Sequence, residues 1–192
     1  VGLESEDEGS IAGTFVMFTV VGAVVVVGLA LRSYWAMALT GAGLGVLMIW
    51  LKGISNLVQL KGGLVIELIV PIAMIALGVD FAVHALRRYE EEKRLGLDPR
   101  RALSLGFAGV LGALALAMAS DGIAFVSNTV SGIESVIHFG IAAGIAVAAS
   151  FLILGVVVPL LMMQIDRLRT SVPSRRTLID RAKLLVGSAG VA

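Results

Sequence analysis

The stretch from Leu64 to Leu86, LVIELIVPIAMIALGVDFAVHAL, decides how this chain folds. A helix needs about 20 apolar residues to cross a hydrocarbon core of roughly 30 Å, and this segment has that length. It carries Glu67 near its start, Pro71 inside, and Asp80 and His84 towards its end. An apolar stretch of this length predicts a membrane-spanning helix, and its ionisable residues mark it as the chemically interesting one. The whole chain agrees with a bilayer as solvent: 192 residues are 58% hydrophobic with a mean hydropathy of +0.98, beyond the roughly half-apolar composition of soluble domains.

Working outward, four more apolar stretches of spanning length appear, giving spans at 11–31, 34–51, 64–86, 102–123 and 136–163. Only Arg32 and Ser33 separate the first two, so these must form a tight antiparallel hairpin. Trp35 and Trp50 lie at opposite ends of the second, where interfacial aromatics belong. The third is read as the only span with interior ionisable groups. Beyond it, Arg87 to Arg94 continues the helix into water, Gly96 ends it, and Asp98-Pro99 supplies an N-cap and first-turn signal for the fourth span.

Charge placement predicts direction. Of the 15 Lys and Arg, all but Lys52 and Lys61 fall on one side of the five spans, and the positive-inside rule makes that side cytoplasmic. Residues 1–10, which are acidic, are then extracytoplasmic, residues 11–163 form the transmembrane domain, and 164–192 make a cytoplasmic tail. In that tail Leu178, Ile179, Ala182, Leu185 and Val186 share one helical face opposite Arg175, Arg176, Arg181 and Lys183. This fits either an amphipathic helix on the membrane surface or a linker helical only in a longer chain. The first residue is not Met and no signal peptide precedes the acidic segment, so the sequence reads as an excerpt whose preceding helix lies upstream.

Composition excludes several chemistries. Without cysteine there is no disulfide, thiolate nucleophile or Cys-ligated metal, and no nucleotide-binding loop, zinc-protease or serine-hydrolase motif occurs. The expectation is a non-enzyme without cofactor or metal. Nucleic acid is not an expected partner, because the basic residues flank apolar spans.

Asp80 is the leading candidate, since a carboxylate inside an apolar span costs several kcal/mol. Burial favours its neutral form, and His84, four residues later, shares its helix face; together they could accept and relay a proton. The alternative leaves Asp80 holding a neighbouring helix and His84 reaching the interface. Glu67 can reach water from the outer end, and Glu134 and His138 suit either a water-exposed cap or a gate. Gly140, Gly144 and Ala148, and likewise Gly109, Ala113 and Ala117, recur every four residues, a spacing that lets helix backbones approach; such seams pack statically or allow sliding.

The run Gly78-Val79-Asp80-Phe81-Ala82-Val83-His84, with the exit Arg87-Arg88-Tyr89-Glu90-Glu91-Glu92, resembles the resistance-nodulation-division (RND) superfamily. Its lipid-exporter-like branch, which includes the mycobacterial large membrane proteins and hopanoid transporters, looks most similar. Phe139-Gly140, Gly144-Ile145 and Pro159-Leu160-Leu161 match further landmarks of that family at similar spacing. The resemblance implies an all-α integral membrane fold in which these five transmembrane helices are helices two to six of one half, a unit also called the sterol-sensing domain. It implies proton coupling at Asp80, while Phe81 stands where many relatives carry Tyr.

The resulting expectation is the membrane domain of a proton-motive-force-driven exporter of hydrophobic or amphiphilic, lipid-like substrates in the cell membrane. Asp80 and His84 would couple protons; Gly78, Gly140 and Gly144 would serve helix packing or gating. Membrane lipids, the substrate, and a second RND half or homo-oligomer partner are the implied contacts. The rival is a sterol- or lipid-sensing module that regulates without transporting, since fold alone does not choose between them. A protein-translocation accessory of the same superfamily fits less well, because the residues after Asp80 differ from that branch.

Overall fold

A computed structural model describes residues 2–57 and 68–171, with side chains described over 13–57 and 68–169. Glu67, Lys61 and the amphipathic pattern of the tail lie outside these described residues. The described chain is helical, with no strand: α1 (Gly2–Leu31), α2 (Tyr34–Leu57), α3 (Val70–Arg94), α4 (Pro99–Ser127), α5 (Glu134–Ser150) and α6 (Val158–Ser171). A π-helical segment, Phe151–Val157, joins α5 to α6, so these form one long element. The described residues thus contain five elements long and apolar enough to span a membrane.

The boundaries extend past the apolar runs. α1 begins at Gly2 and so includes most of the acidic segment, and α4 runs from Pro99 to Ser127. Apolarity marks where a helix meets lipid, whereas caps mark where it stops. The α3–α4 connection shows this. Gly96 adopts a φ of +83° and its N–H donates to the Lys93 carbonyl at 3.0 Å, closing α3 in the left-handed conformation that glycine tolerates. Two residues on, the Asp98 carboxylate accepts from the Arg100 N–H at 3.1 Å, and Pro99 sets the first turn of α4.

The α1–α2 hairpin is as tight as its two-residue link requires. Arg32 turns the chain at a φ of +48°, and Ser33 Oγ accepts from the Ala36 N–H at 3.3 Å as the cap of α2. Trp35 and Trp50, both exposed, stand at opposite ends of α2.

At the centre of the bundle Leu154 of the π-helical segment is fully buried, with one methyl group against Gly43 of α2 and the other against Gly78 of α3. A Cβ added at these glycines would lie 2.7 Å and 2.5 Å from it. The Ser150 hydroxyl donates to the Met74 carbonyl of α3 at 3.3 Å, and Phe81 meets Phe151 edge to face with centroids 5.7 Å apart. The unannounced π winding immediately precedes Pro159. That residue has no N–H for the preceding turn and its ring clashes with a regular α-helical carbonyl, a conflict that local rewinding relieves.

The two small-residue patterns have different fates. Gly140 lies where a Cβ would come 2.5 Å from the Phe125 carbonyl oxygen, and Gly144 faces Val126, so this pattern seats α5 on the end of α4. On α4, Gly109 lies against the Arg88 side chain of α3, where an added Cβ would come 3.2 Å from Nε, while Ala113 and Ala117 are exposed, so only the first residue of that row meets a neighbouring helix.

Candidate functional site

α3 is a deeply placed helix, with Val70, Met74, Ile75, Phe81, Ala82, Ala85, Leu86 and Tyr89 buried. The remaining positions form one stripe. Ala76, Asp80, His84, Arg87 and Glu91 are all exposed, and their three- and four-residue spacing keeps them on a single side of the helix. Asp80 therefore does not lie in the interior of this bundle, contrary to the expectation of a buried carboxylate. The expectation failed because an apolar span was equated with a buried one. α3 packs the neighbouring turns, through Gly78 and Phe81, against Leu154 and Phe151, which forces Asp80 outward by helical geometry.

Asp80 and His84 are neighbours on this stripe, yet among the described residues no hydrogen bond or ion pair joins them. Asp80 lies ten residues, about 15 Å, along the helix from Val70, well within the span. The position matching a family Tyr holds Phe81, whose ring turns into the core against Phe151. A hydroxyl there would lie away from the Asp80 face.

Asp121 was not anticipated, and it corrects the reading that only the third span has interior ionisable groups. It recurs with Leu103, Val110 and Leu114 at intervals of seven, four and seven on α4, placing it on the face that buries Leu103 and Leu114. It is half-buried and has no hydrogen bond or ion pair among the described residues. The signal was available: the carboxylate follows an uncharged run from Ala102 to Ser120 and precedes Phe125 and Val126. Glu134, by contrast, is an exposed residue in the first turn of α5, where its charge suits the helix N-terminus. His138 is half-buried one turn later.

A polar clamp joins the far ends of α3 and α6. Tyr89, fully buried, donates its hydroxyl to Asp166 Oδ2 at 2.8 Å. Lys93 Nζ donates to the same oxygen at 2.8 Å and to Glu90 Oε1 at 2.7 Å, and stands 5.2 Å from the Tyr89 ring centroid. This clamp places the charged exit of α3 beside the basic end of α6, while a cavity shared by Ala30, Leu31, Arg87 and Arg94 brings the end of α1 to the same rim. Arg32, Arg87, Arg94 and Arg167 thus gather at one end of the bundle, and Lys52 lies towards the opposite end of α2. The sequence offered Tyr89 only as a member of a charged exit and singled out nothing at Asp166, and their pairing across 77 positions was not legible.

Among the described residues no group of three or more His, Cys, Asp or Glu is placed to hold a metal ion. The arrangement instead offers titratable side chains at two levels of an apolar bundle, Asp80 facing outward from α3 and Asp121 facing the core side of α4.

The model of the MMPL family matches residues 5–182 of the chain. No curated protein and no solved structure gives a match.

Proposed function

The chain belongs to the MMPL family of membrane transporters within the RND superfamily, and from that premise we propose that it is part of a proton-motive-force-driven exporter of hydrophobic or amphiphilic substrates. The observation that supports this reading most is Asp80 on an exposed face within an apolar span. Lipid is a poor neighbour for it, since a carboxylate at the centre of a lone spanning helix costs about 3 kcal/mol on insertion scales and more in simulations. In the assembled transporter a second half, or a second copy of this chain, covers the Ala76-Asp80-His84 stripe and encloses a wet path to the carboxylate.

Protonation of Asp80 from the outer side, with release towards the basic rim through His84, would then bias the packing of α3 against its cover. Each charge moved across the membrane contributes about 2.3 kcal/mol per 100 mV, enough to shift a two-state helix packing by roughly fiftyfold. The basic rim faces the cytoplasm in this reading, by the positive-inside rule. Gly78, against Leu154, lets α3 approach the π-helical segment closely, and Gly140 and Gly144 hold α5 to α4; these close approaches define the seams along which movement would be taken up.

The energy source gives a direct test. In inverted membrane vesicles containing the full-length protein, uptake of a lipid-like substrate is expected to fall to the background of empty vesicles on adding a protonophore, and to be indifferent to ATP. Uptake that needs ATP and survives the protonophore would contradict the proposal. Saturable lipid binding with no gradient-dependent uptake would favour a sensing module.

A further inference from the structure

At the rim where α1 ends and α3 leaves its apolar stretch, a cavity of about 230 Å³ opens between Ala30, Leu31, Arg87, Glu90, Glu91 and Arg94. Water takes roughly 30 Å³ per molecule in the liquid, so this volume holds a phosphate group with its hydration. Counted formally, two guanidiniums and two carboxylates cancel. The partners of these groups say otherwise. Glu90 is bonded to Lys93 at 2.7 Å and Glu91 to Arg88 at 3.0 Å, and neither cation lines the cavity.

Among the described residues Arg87 and Arg94 make no hydrogen bond or ion pair. Seven residues apart, they project from the same side of α3 two turns from one another. The closing carbonyls of α1 contribute about half a negative charge, which two guanidiniums outweigh, and Arg32 follows directly as a further exposed cation. Guanidinium forks match the oxygens of a phosphate better than any other common anion-binding side chain.

We propose that this cavity binds the phosphate of an anionic lipid headgroup. A lipid is favoured over a soluble phosphate by what adjoins the cavity. Val26 and Leu29 of α1 are 58% and 73% exposed and lead from the rim along the apolar span, a surface for an acyl chain. The depth also fits, because Ala30 and Leu31 close a span and Arg32 opens the link that follows, the level at which headgroups lie. A lipid seated here ties the end of α1 to α3 through charge, alongside the apolar packing of those helices, and does not depend on Asp80.

The test is lipid binding to the full-length protein in nanodiscs of phosphatidylcholine containing increasing phosphatidylglycerol, with bound lipid read by native mass spectrometry. Wild type is expected to retain phosphatidylglycerol preferentially. Arg87→Gln is expected to weaken this about fivefold and the Arg87→Gln/Arg94→Gln pair about thirtyfold, from the usual contribution of one basic residue at an anionic surface. Lys52→Gln, towards the other end of α2, should change nothing. Glu91→Gln removes a carboxylate from the cavity lining while Arg88 keeps its pair with Glu92 at 3.2 Å, and it is expected to tighten binding, a gain that misfolding does not produce. Equal retention of phosphatidylcholine, unchanged binding by the double variant, or displacement of the lipid by equimolar inorganic phosphate would each overturn the proposal.

Discussion

Replacing Asp80 with Asn in the full-length protein is expected to reduce gradient-driven export and coupled proton flux to background while leaving assembly intact. The two halves of that expectation come from different observations. Asn keeps the size and a hydrogen-bonding amide but cannot take up and release a proton near neutral pH, so a carrier role at this position is lost entirely. Stability should change little, because Asp80 is exposed and makes no hydrogen bond or ion pair among the described residues. Asp80→Glu, which retains the carboxylate one methylene further out, is expected to recover part of the activity. Replacing His84 with Gln should leave transport slower but gradient-dependent, since water in an enclosed path can pass the proton on. Wild-type export by Asp80→Asn would remove the carboxylate from the coupling step.

The largest effect on stability is expected at the clamp. Asp166→Ala leaves the buried Tyr89 hydroxyl and the Lys93 ammonium without the oxygen they share at 2.8 Å. An unmet buried donor costs about 1–3 kcal/mol, and the ammonium adds less, its side chain being 30% exposed and also bonded to Glu90. Tyr89→Phe removes one donor while Lys93 keeps Asp166 paired, so its cost should be about 1 kcal/mol. Thermal unfolding of the purified protein should therefore rank Asp166→Ala below Tyr89→Phe, and both below wild type. A reversed order would mean that the Asp166 carboxylate, left with one donor fewer, costs more than the donors left unmet when it is removed.

Much of this fold is legible in the sequence because a bilayer simplifies the problem. Uncharged runs of spanning length can hardly do anything but cross, and the Gly96 and Asp98-Pro99 signals act locally, so their caps appear where expected. The charge gathered at one rim follows from the same logic. What was not legible depends on which face each helix turns to its neighbours. Hydropathy alone gave Asp80 no side, since lipid-facing and core-facing positions of α3 are both apolar, and only the packing of Gly78 and Phe81 against Leu154 and Phe151 turns it outward. Asp121 escaped notice for the related reason that a carboxylate near a span's end resembles an interfacial one. The π-helical segment could have been suspected from Pro159, but its length and its contact with Gly78 required the three-dimensional arrangement.

The central claim is that the Asp80 stripe is covered by protein in the assembled transporter and not bathed in lipid. A nitroxide attached at Ala76→Cys, one turn from Asp80, tests it in reconstituted full-length protein by its accessibility to a lipid-soluble relaxing agent. The reference is Phe18→Cys on α1, where the native side chain is 67% exposed. The account predicts a label at position 76 that is several-fold less accessible than the one at position 18. Equal accessibility at the two positions would place Asp80 against lipid and contradict it.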